Sequence, residues 1–236
     1  MTTEKSLGHL SHEIWAVVPV KAFASAKQRL SGVLTGSQRA ELARAMLQDV
    51  IATLRATTRI SRILVVTNDI EVFECADEAG AQAVETSNEV DLNQAVSHGC
   101  ELASESGADV LIMPADVPFA TSSDIDAVID GLRDHDIVLV PALSDGGTNA
   151  VGVRHGVCFR PCFGENSLLW HQTDASLRDI RHCALRLETL GHDIDQPSDM
   201  TVPLDVSTEN RTAKFLRRFS FNGRVPIRTQ IRAHAL

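Results

Sequence analysis

The chain has 236 residues, 44% of them hydrophobic and 22% charged, with a formal net charge of −9. That balance supports a sizeable core and excludes general disorder. An acidic chain with 4% aromatics and no Tyr lacks the basic footprint and stacking platforms that nucleic acids or anionic membranes require.

From the N-terminus, Ile14 to Val20 is a short apolar run that reads as a buried strand. A polar, basic loop follows over residues 22–35, and Ser37 is placed to cap a helix. In that helix Ala43, Met46, Leu47, Val50, Ile51 and Leu54 recur on one face. Ile63 to Val66 is a second strand, Glu71 to Ala79 a helix stopped by Gly80, and Ala81 to Val84 a weak strand. Asp91 to Ser106 is a helix ended by Gly107. Val110 to Met113 is a strand without alternation, as expected when both faces are covered. Ser122 or Ser123 caps the next helix, and Ile137 to Val140 is another strand. Thr148 to Val153 and Leu185 to Leu190 read as strands, Ser167 to Asp179 as a helix, and Ser207 to Phe219 as a helix with a basic end. The order βαβα with apolar strands predicts one α/β domain with a mainly parallel sheet and helices on both faces. The expected boundaries are a tail over 1–13, a domain over 14–205 and a C-terminal extension over 206–236.

Ligands of such sheets bind outside the carboxyl ends of the strands. Five motifs fall on loops there. Lys21, Lys27 and Arg29 follow the first strand. Three cations in an acidic chain suit a triphosphate, although a solvated basic loop would look the same. The loop has neither a P-loop nor a dinucleotide fingerprint. In Pro114-Ala115-Asp116-Val117-Pro118, an Asp confined between prolines suits a rigid metal ligand, or a loop cap. Magnesium is commonly held by one or two carboxylates plus substrate phosphate oxygens. Asp193-Ile194-Asp195-Gln196-Pro197 offers one carboxylate for metal and another in support, or an ordinary turn. Asp145-Gly146-Gly147-Thr148-Asn149 combines close backbone approach with a hydroxyl and an amide, or forms a hairpin turn. In Phe163-Gly164-Glu165-Asn166-Ser167, Ser167 caps a helix whose first amides face an anion.

The remaining candidates are plainer. The five Cys are odd in number and contain no Cys-x-x-Cys pair, so reduced thiols are expected, and His155 with Cys158 and Cys162 is a weaker metal alternative. The His residues, His98, His171 and His182 among them, read as surface or core residues rather than ligands. No apolar run is long enough to span a membrane and the N-terminus has no secretory pattern, so a cytoplasmic protein is expected.

Taken together, Val18-Pro19-Val20-Lys21, Ala26-Lys27-Gln28-Arg29-Leu30, Leu92-Asn93 and the motifs around Asp116, Gly147, Gly164 and Asp193 to Pro197 resemble one family. They look like the guanylyltransferases that activate a phosphorylated acid in biosynthesis of the deazaflavin coenzyme F(420). The resemblance spans roughly residues 14–200. It implies a Rossmann-like nucleotidyltransferase fold with a mixed sheet, GTP as donor, and phosphoenolpyruvate, 2-phospholactate or 3-phosphoglycerate as acceptor. It also implies acceptor contacts from Thr148, Gly164 and Ser167, with Asp116, Asp193 and Asp195 near magnesium. Asn93 is the candidate reader of guanine, and Gly147 and Asn149 complete the binding set. A homodimer is compatible with the sequence, and the product would pass to a downstream transferase.

The chemistry then needs no strong general base, because an acceptor phosphate is already ionised at neutral pH. Positioning and charge neutralisation by magnesium, Lys21, Lys27 and Arg29 would carry it. The rivals are a molybdopterin or sugar-phosphate nucleotidyltransferase, which usually has a Gly-rich loop where Lys21 to Arg29 has none, and a noncatalytic GTP-binding module.

Overall fold

The computed structural model describes residues 12–86, 91–201, 207 and 209–220. Most of the expected N-terminal tail, and the end of the chain past residue 220, lie outside the described residues. In chain order the elements are β1 (Ile14–Pro19), α1 (Gly36–Ala56), β2 (Ile60–Thr67), α2 (Ile70–Ala79), β3 (Gln82–Glu85), α3 (Leu92–Glu105) and β4 (Asp109–Ile112). There follow α4 (Ser122–Gly131), β5 (Ile137–Pro141), β6 (Thr148–Val153), α5 (Ser167–Leu177), β7 (His182–Ala184) and α6 (Arg211–Ser220).

The strands form one sheet in the order β3-β2-β1-β4-β6-β5-β7. β6 is antiparallel to both its neighbours, β4 and β5, and every other pairing is parallel. The carboxyl ends of the other six strands therefore share one edge with the amino end of β6. That places Thr148 and Asn149 at the same edge as the loops after β1, β4 and β7.

Both faces are covered, which is why the strands read as unbroken apolar runs. Ile14, Ala16 and Val18 of β1 join the core under α1, α2, α4 and α6, while Trp15 and Val17 join the core under α3 and α5. α3 lies close on β1, because a Cβ on Gly99 would stand 2.5 Å from Val17 Cγ1.

Two caps sit earlier than expected. Thr35, not Ser37, caps α1: its hydroxyl accepts from Gln38 N and the Gln38 side chain accepts from Thr35 N. Thr121, not Ser122 or Ser123, caps α4 through the same reciprocal pair with Asp124. Thr35 and Thr121 each stand three residues before a Gln or Asp whose side chain closes the box. The strand expected over Leu185 to Leu190 is also displaced. β7 pairs with β5 over His182 to Ala184, and the chain then turns, with Gly191 N donating to Leu187 O at 2.7 Å. Leu185, Leu187 and Leu190 pack on the core, so their apolar spacing reports packing rather than a ladder.

The region set apart as an extension contributes to the core. Ala213, Phe215 and Leu216 of α6 are buried, and burying Phe215 and Leu216 contributes about 1.5–3 kcal/mol each. The first amides of α6 are capped from α1: Arg211 N and Thr212 N donate to the Asp49 carboxylate at 3.0 and 2.7 Å. Asn210 accepts from Ala213 N and donates to Pro118 O at 3.0 Å, tying α6 to the loop that carries Asp116. Asp49→Ala leaves two buried donors without partners and should destabilise the fold by about 1–2 kcal/mol. Urea unfolding of wild type and variant at one pH measures this.

Candidate active site

The cations and carboxylates picked out in separate loops meet in space. The chain after β1 makes two short 3-10 turns, Phe23–Ser25 and Gln28–Leu30, with Lys27 between them in the left-handed conformation at φ 53°. Such a backbone is uncommon for a residue with a Cβ and recurs where function holds a side chain in place. Phe23 and Leu30 bury their side chains on either side, which turns the Lys27 side chain inward. Its Nζ lies 2.8 Å from Asp116 Oδ2 and 3.5 Å from Asp195 Oδ1. Arg29 NH1 meets Asp195 Oδ2 at 2.6 Å. Ile194 N donates to Asp116 O at 3.0 Å, so the loops after β4 and β7 are also joined through backbone.

The charges are unevenly matched. Burial works against the Lys27 ammonium, but Asp116 first, then Asp195 and Asp193, outweigh it and hold its pKa above the ordinary value. Asp193 moves up as well. Burial is the main cause and the nearby Asp116 charge the next, only partly offset by the amide of Asn149, which donates to Asp193 Oδ1 at 3.2 Å. The side-chain donors Lys27 Nζ and Asn149 Nδ2 reach one oxygen of each carboxylate, Asp116 Oδ2 and Asp193 Oδ1. No group of three or more His, Cys, Asp or Glu is arranged to hold a metal ion among those residues. The carboxylates instead suit a hard cation that takes part of its shell from a phosphate ligand.

A second cluster lies at the start of β6. Thr148 and Ser167 are buried, and Ser167 Oγ donates to Thr148 Oγ1 at 3.1 Å. Ser167 is thus not the helix cap. Asn166 holds that position in a left-handed conformation without a side-chain cap. The amides of Ser167 and Leu168 donate to Gly164 O and Gly146 O, so the first turn of α5 is occupied by the chain's own carbonyls. Gly164 stands at φ 139°, where an L side chain is strained, and a Cβ there would meet nothing within 4 Å. Backbone conformation explains this glycine, and the space beside it stays open.

Other candidates have structural work. The β5–β6 connection runs over residues 142–147, closed by Ala142 N donating to Gly147 O at 3.0 Å, and the Gly147 amide donates to Asp145 Oδ1 at 2.8 Å. Asn93 accepts from Phe163 N at 2.7 Å and donates to Phe163 O at 3.5 Å, fixing the loop that leads to Gly164. Lys21 lies apart from the Lys27 cluster and lines a narrow cleft at the ends of β1 and β2 with Thr67, Asn68, Thr86 and Asp91. Sequence reading missed Thr67, Asn68 and Thr86, whose only signal is their place just after a strand. All five cysteines are free thiols. A cleft of about 350 Å³ beside Ser97, Cys100 and His155 lies at the amino end of β4, opposite these residues.

The family model of CofC-like guanylyl transferases matches residues 14–233. The chain is 37% identical over 186 residues to a phosphoenolpyruvate guanylyltransferase of Sphaerobacter thermophilus, covering 78% of this chain and 89% of that one. It is 34% identical to a 3-phospho-D-glycerate guanylyltransferase of Phenylobacterium zucineum, covering 85% and 94%. It is 30% identical to a 2-phospho-L-lactate guanylyltransferase of Methanothermobacter thermautotrophicus, covering 87% and 91%. In fold it resembles a Desulfovibrio desulfuricans G20 protein provisionally named a nucleotide-diphospho-sugar transferase, with a TM-score of 0.70 at 19% identity over 88% of this chain and 95% of that one. The expected nucleotidyltransferase fold is the one observed.

The upward shift of Asp193 has a measurable consequence. A carboxyl whose folded pKa lies above its unfolded value opposes folding at neutral pH, and that penalty disappears as pH falls through the folded value. Asp193→Asn keeps an acceptor for Asn149 and removes the charge. Without divalent cations the variant should therefore melt above wild type at pH 7, with the difference closing toward pH 4. Thermal unfolding at both pH values checks it.

Proposed function

The chain belongs to the CofC-like guanylyl transferases, and we propose that it transfers GMP from GTP to a small phosphorylated carboxylic acid, releasing pyrophosphate. The observation that carries this reading is the meeting of Lys27, Arg29, Asp116 and Asp195 at the carboxyl edge of the sheet. Curated relatives named for phosphoenolpyruvate, 3-phospho-D-glycerate and 2-phospho-L-lactate support the acceptor class.

In this reading the cleft beside Lys21 takes the nucleotide, and Lys27 and Arg29 face its phosphates once the ligand draws them from their carboxylates. Thr148, Gly164 and Ser167 line the acceptor end. An acceptor phosphate oxygen forms a bond to the α-phosphorus of GTP while the bond from that phosphorus to the bridging β-phosphate oxygen breaks. The electron pair leaves with pyrophosphate. Because the attacking oxygen is already ionised, the residues act by position and charge rather than as a strong base. Asp116 with Asp193 and Asp195 would hold magnesium, which neutralises phosphate charge and orients the leaving group. The product, an acid joined to GMP through a diphosphate, serves a downstream transferase of deazaflavin coenzyme F(420) biosynthesis in the cytoplasm.

Pyrophosphate release is measured from GTP and magnesium with each of the three acids supplied separately. Release with one acid identifies the acceptor. Binding of GTP without release from any acid would instead favour a binding module. Asp116→Ala should still unfold in one cooperative transition, at lower stability because Lys27 loses its nearest partner, and should lower turnover by on the order of a hundredfold or more. Turnover near wild type in that variant, with magnesium present, would remove Asp116 from the site.

A further inference from the structure

His171 sits behind the acceptor end, buried on α5 against the rings of Phe159 and Phe163 at centroid distances of 5.0 and 5.2 Å. Its two ring nitrogens have different partners. The backbone amide of Cys162 donates to Nε2 at 3.1 Å, and Nδ1 lies 3.1 Å from Thr148 Oγ1. A backbone N–H can only donate, so Nε2 must carry the lone pair. In a neutral imidazole the proton then resides on Nδ1 and is given to Thr148. Burial holds the imidazole pKa down at about 4, in keeping with a neutral ring. The same Thr148 oxygen accepts from Ser167 Oγ at 3.1 Å. With both acceptor positions of that hydroxyl filled, its own proton has only the remaining tetrahedral direction.

We propose that His171, fixed in its Nδ1–H tautomer by the Cys162 amide, is a positioning residue that makes Thr148 a committed donor to the phosphorylated acid. The inference rests on the reading that Thr148 lines the acceptor end. An unrestrained threonine hydroxyl could point its proton into the protein and offer the acid a lone pair, which would repel a carboxylate or phosphate oxygen. With Ser167 and His171 both donating inward, that orientation is closed. The cage of Phe159 and Phe163 keeps the ring from rotating, and Asn93, by holding the Phe163 backbone, steadies the cage from α3.

The test has two parts on the full chain. Imidazole ¹⁵N resonances of His171, assigned by their loss in His171→Asn, should show a protonated Nδ1 and an unprotonated Nε2 at neutral pH. The opposite tautomer, or an imidazolium, overturns the proposal whatever the kinetics of the variants. Steady-state kinetics then use whichever of the three acids supports pyrophosphate release. His171→Asn places an amide near the former Nδ1 and can still donate to Thr148. His171→Gln reaches only toward the Cys162 amide. His171→Gln should raise KM for the acid by roughly tenfold, the worth of one hydrogen bond, with KM for GTP unchanged and His171→Asn close to wild type. In a Thr148→Val background, His171→Gln should add nothing further. Equal losses in Gln and Asn variants, a parallel rise in KM for GTP, or an unchanged acid KM would each reduce His171 to a packing residue. Wild-type protein that uses none of the acids would instead overturn the guanylyltransferase reading, and the ¹⁵N spectrum would still report the tautomer.

Discussion

The Lys27 ammonium is the interaction on which the rest of the site depends. It is nearly enclosed, with its side chain 10% exposed, and an unpaired charge so placed would be costly. Asp116 and Asp195 resolve that cost, and in doing so they draw together the loops after β1, β4 and β7. Three segments far apart in sequence meet at this nitrogen, with the Arg29–Asp195 pair and the Ile194 N to Asp116 O bond joining them as well. The left-handed backbone at Lys27 is tolerated because Phe23 and Leu30 are anchored in the core on either side of it. Removing the ammonium would therefore leave facing carboxylates as well as an unsupported loop.

The second constraint is topological. β6 is the strand that runs against the others, and its reversal brings the amino end of that strand to the edge where the other six end. Without it, Thr148 and Asn149 would lie at the far end of the sheet. The connection over residues 142–147 makes the reversal possible, and α5 is bound to it through Leu168 N and Gly146 O. The hairpin reading of this motif and the binding reading describe different residues of it. The glycines belong to the connection, and Thr148 and Asn149 open β6 at the edge where the other strands end.

What was legible in the sequence follows from what each signal measures. Apolar runs such as Ile14 to Val20 and Val110 to Met113 revealed strands because burial on both faces leaves no room for polar residues. The same runs do not encode direction, so the reversal of β6 was signalled only by the hairpin reading of Gly146-Gly147. Leu185 to Leu190 looked like a strand because core packing, not pairing, spaces its leucines. The cations and carboxylates were found because an acidic chain rarely gathers three basic residues at a strand end by chance. Asn93 bonds the Phe163 backbone, and His171, expected as a surface or core residue, is buried. Their partners are the backbone of Phe163 and Cys162, brought near by folding alone, and no residue type in their neighbourhood advertises that contact.

Two buried carboxylates show why electrostatics must be read through geometry. Asp49 and Asp193 are both pushed up mainly by burial, so direction alone does not separate them. The remaining influences do. At Asp49 every one of them lowers the value: two amides of α6 and the Arg211 charge all favour the carboxylate. That is a cap, with its charge committed to the start of a helix. At Asp193 the next influence is another negative charge, Asp116, and the Asn149 amide reaches only Oδ1. A scaffold under selection for stability alone would not keep two carboxylates beside each other. Conflict between neighbours, more than the size of any one shift, distinguishes residues that act on a ligand from residues that hold the fold.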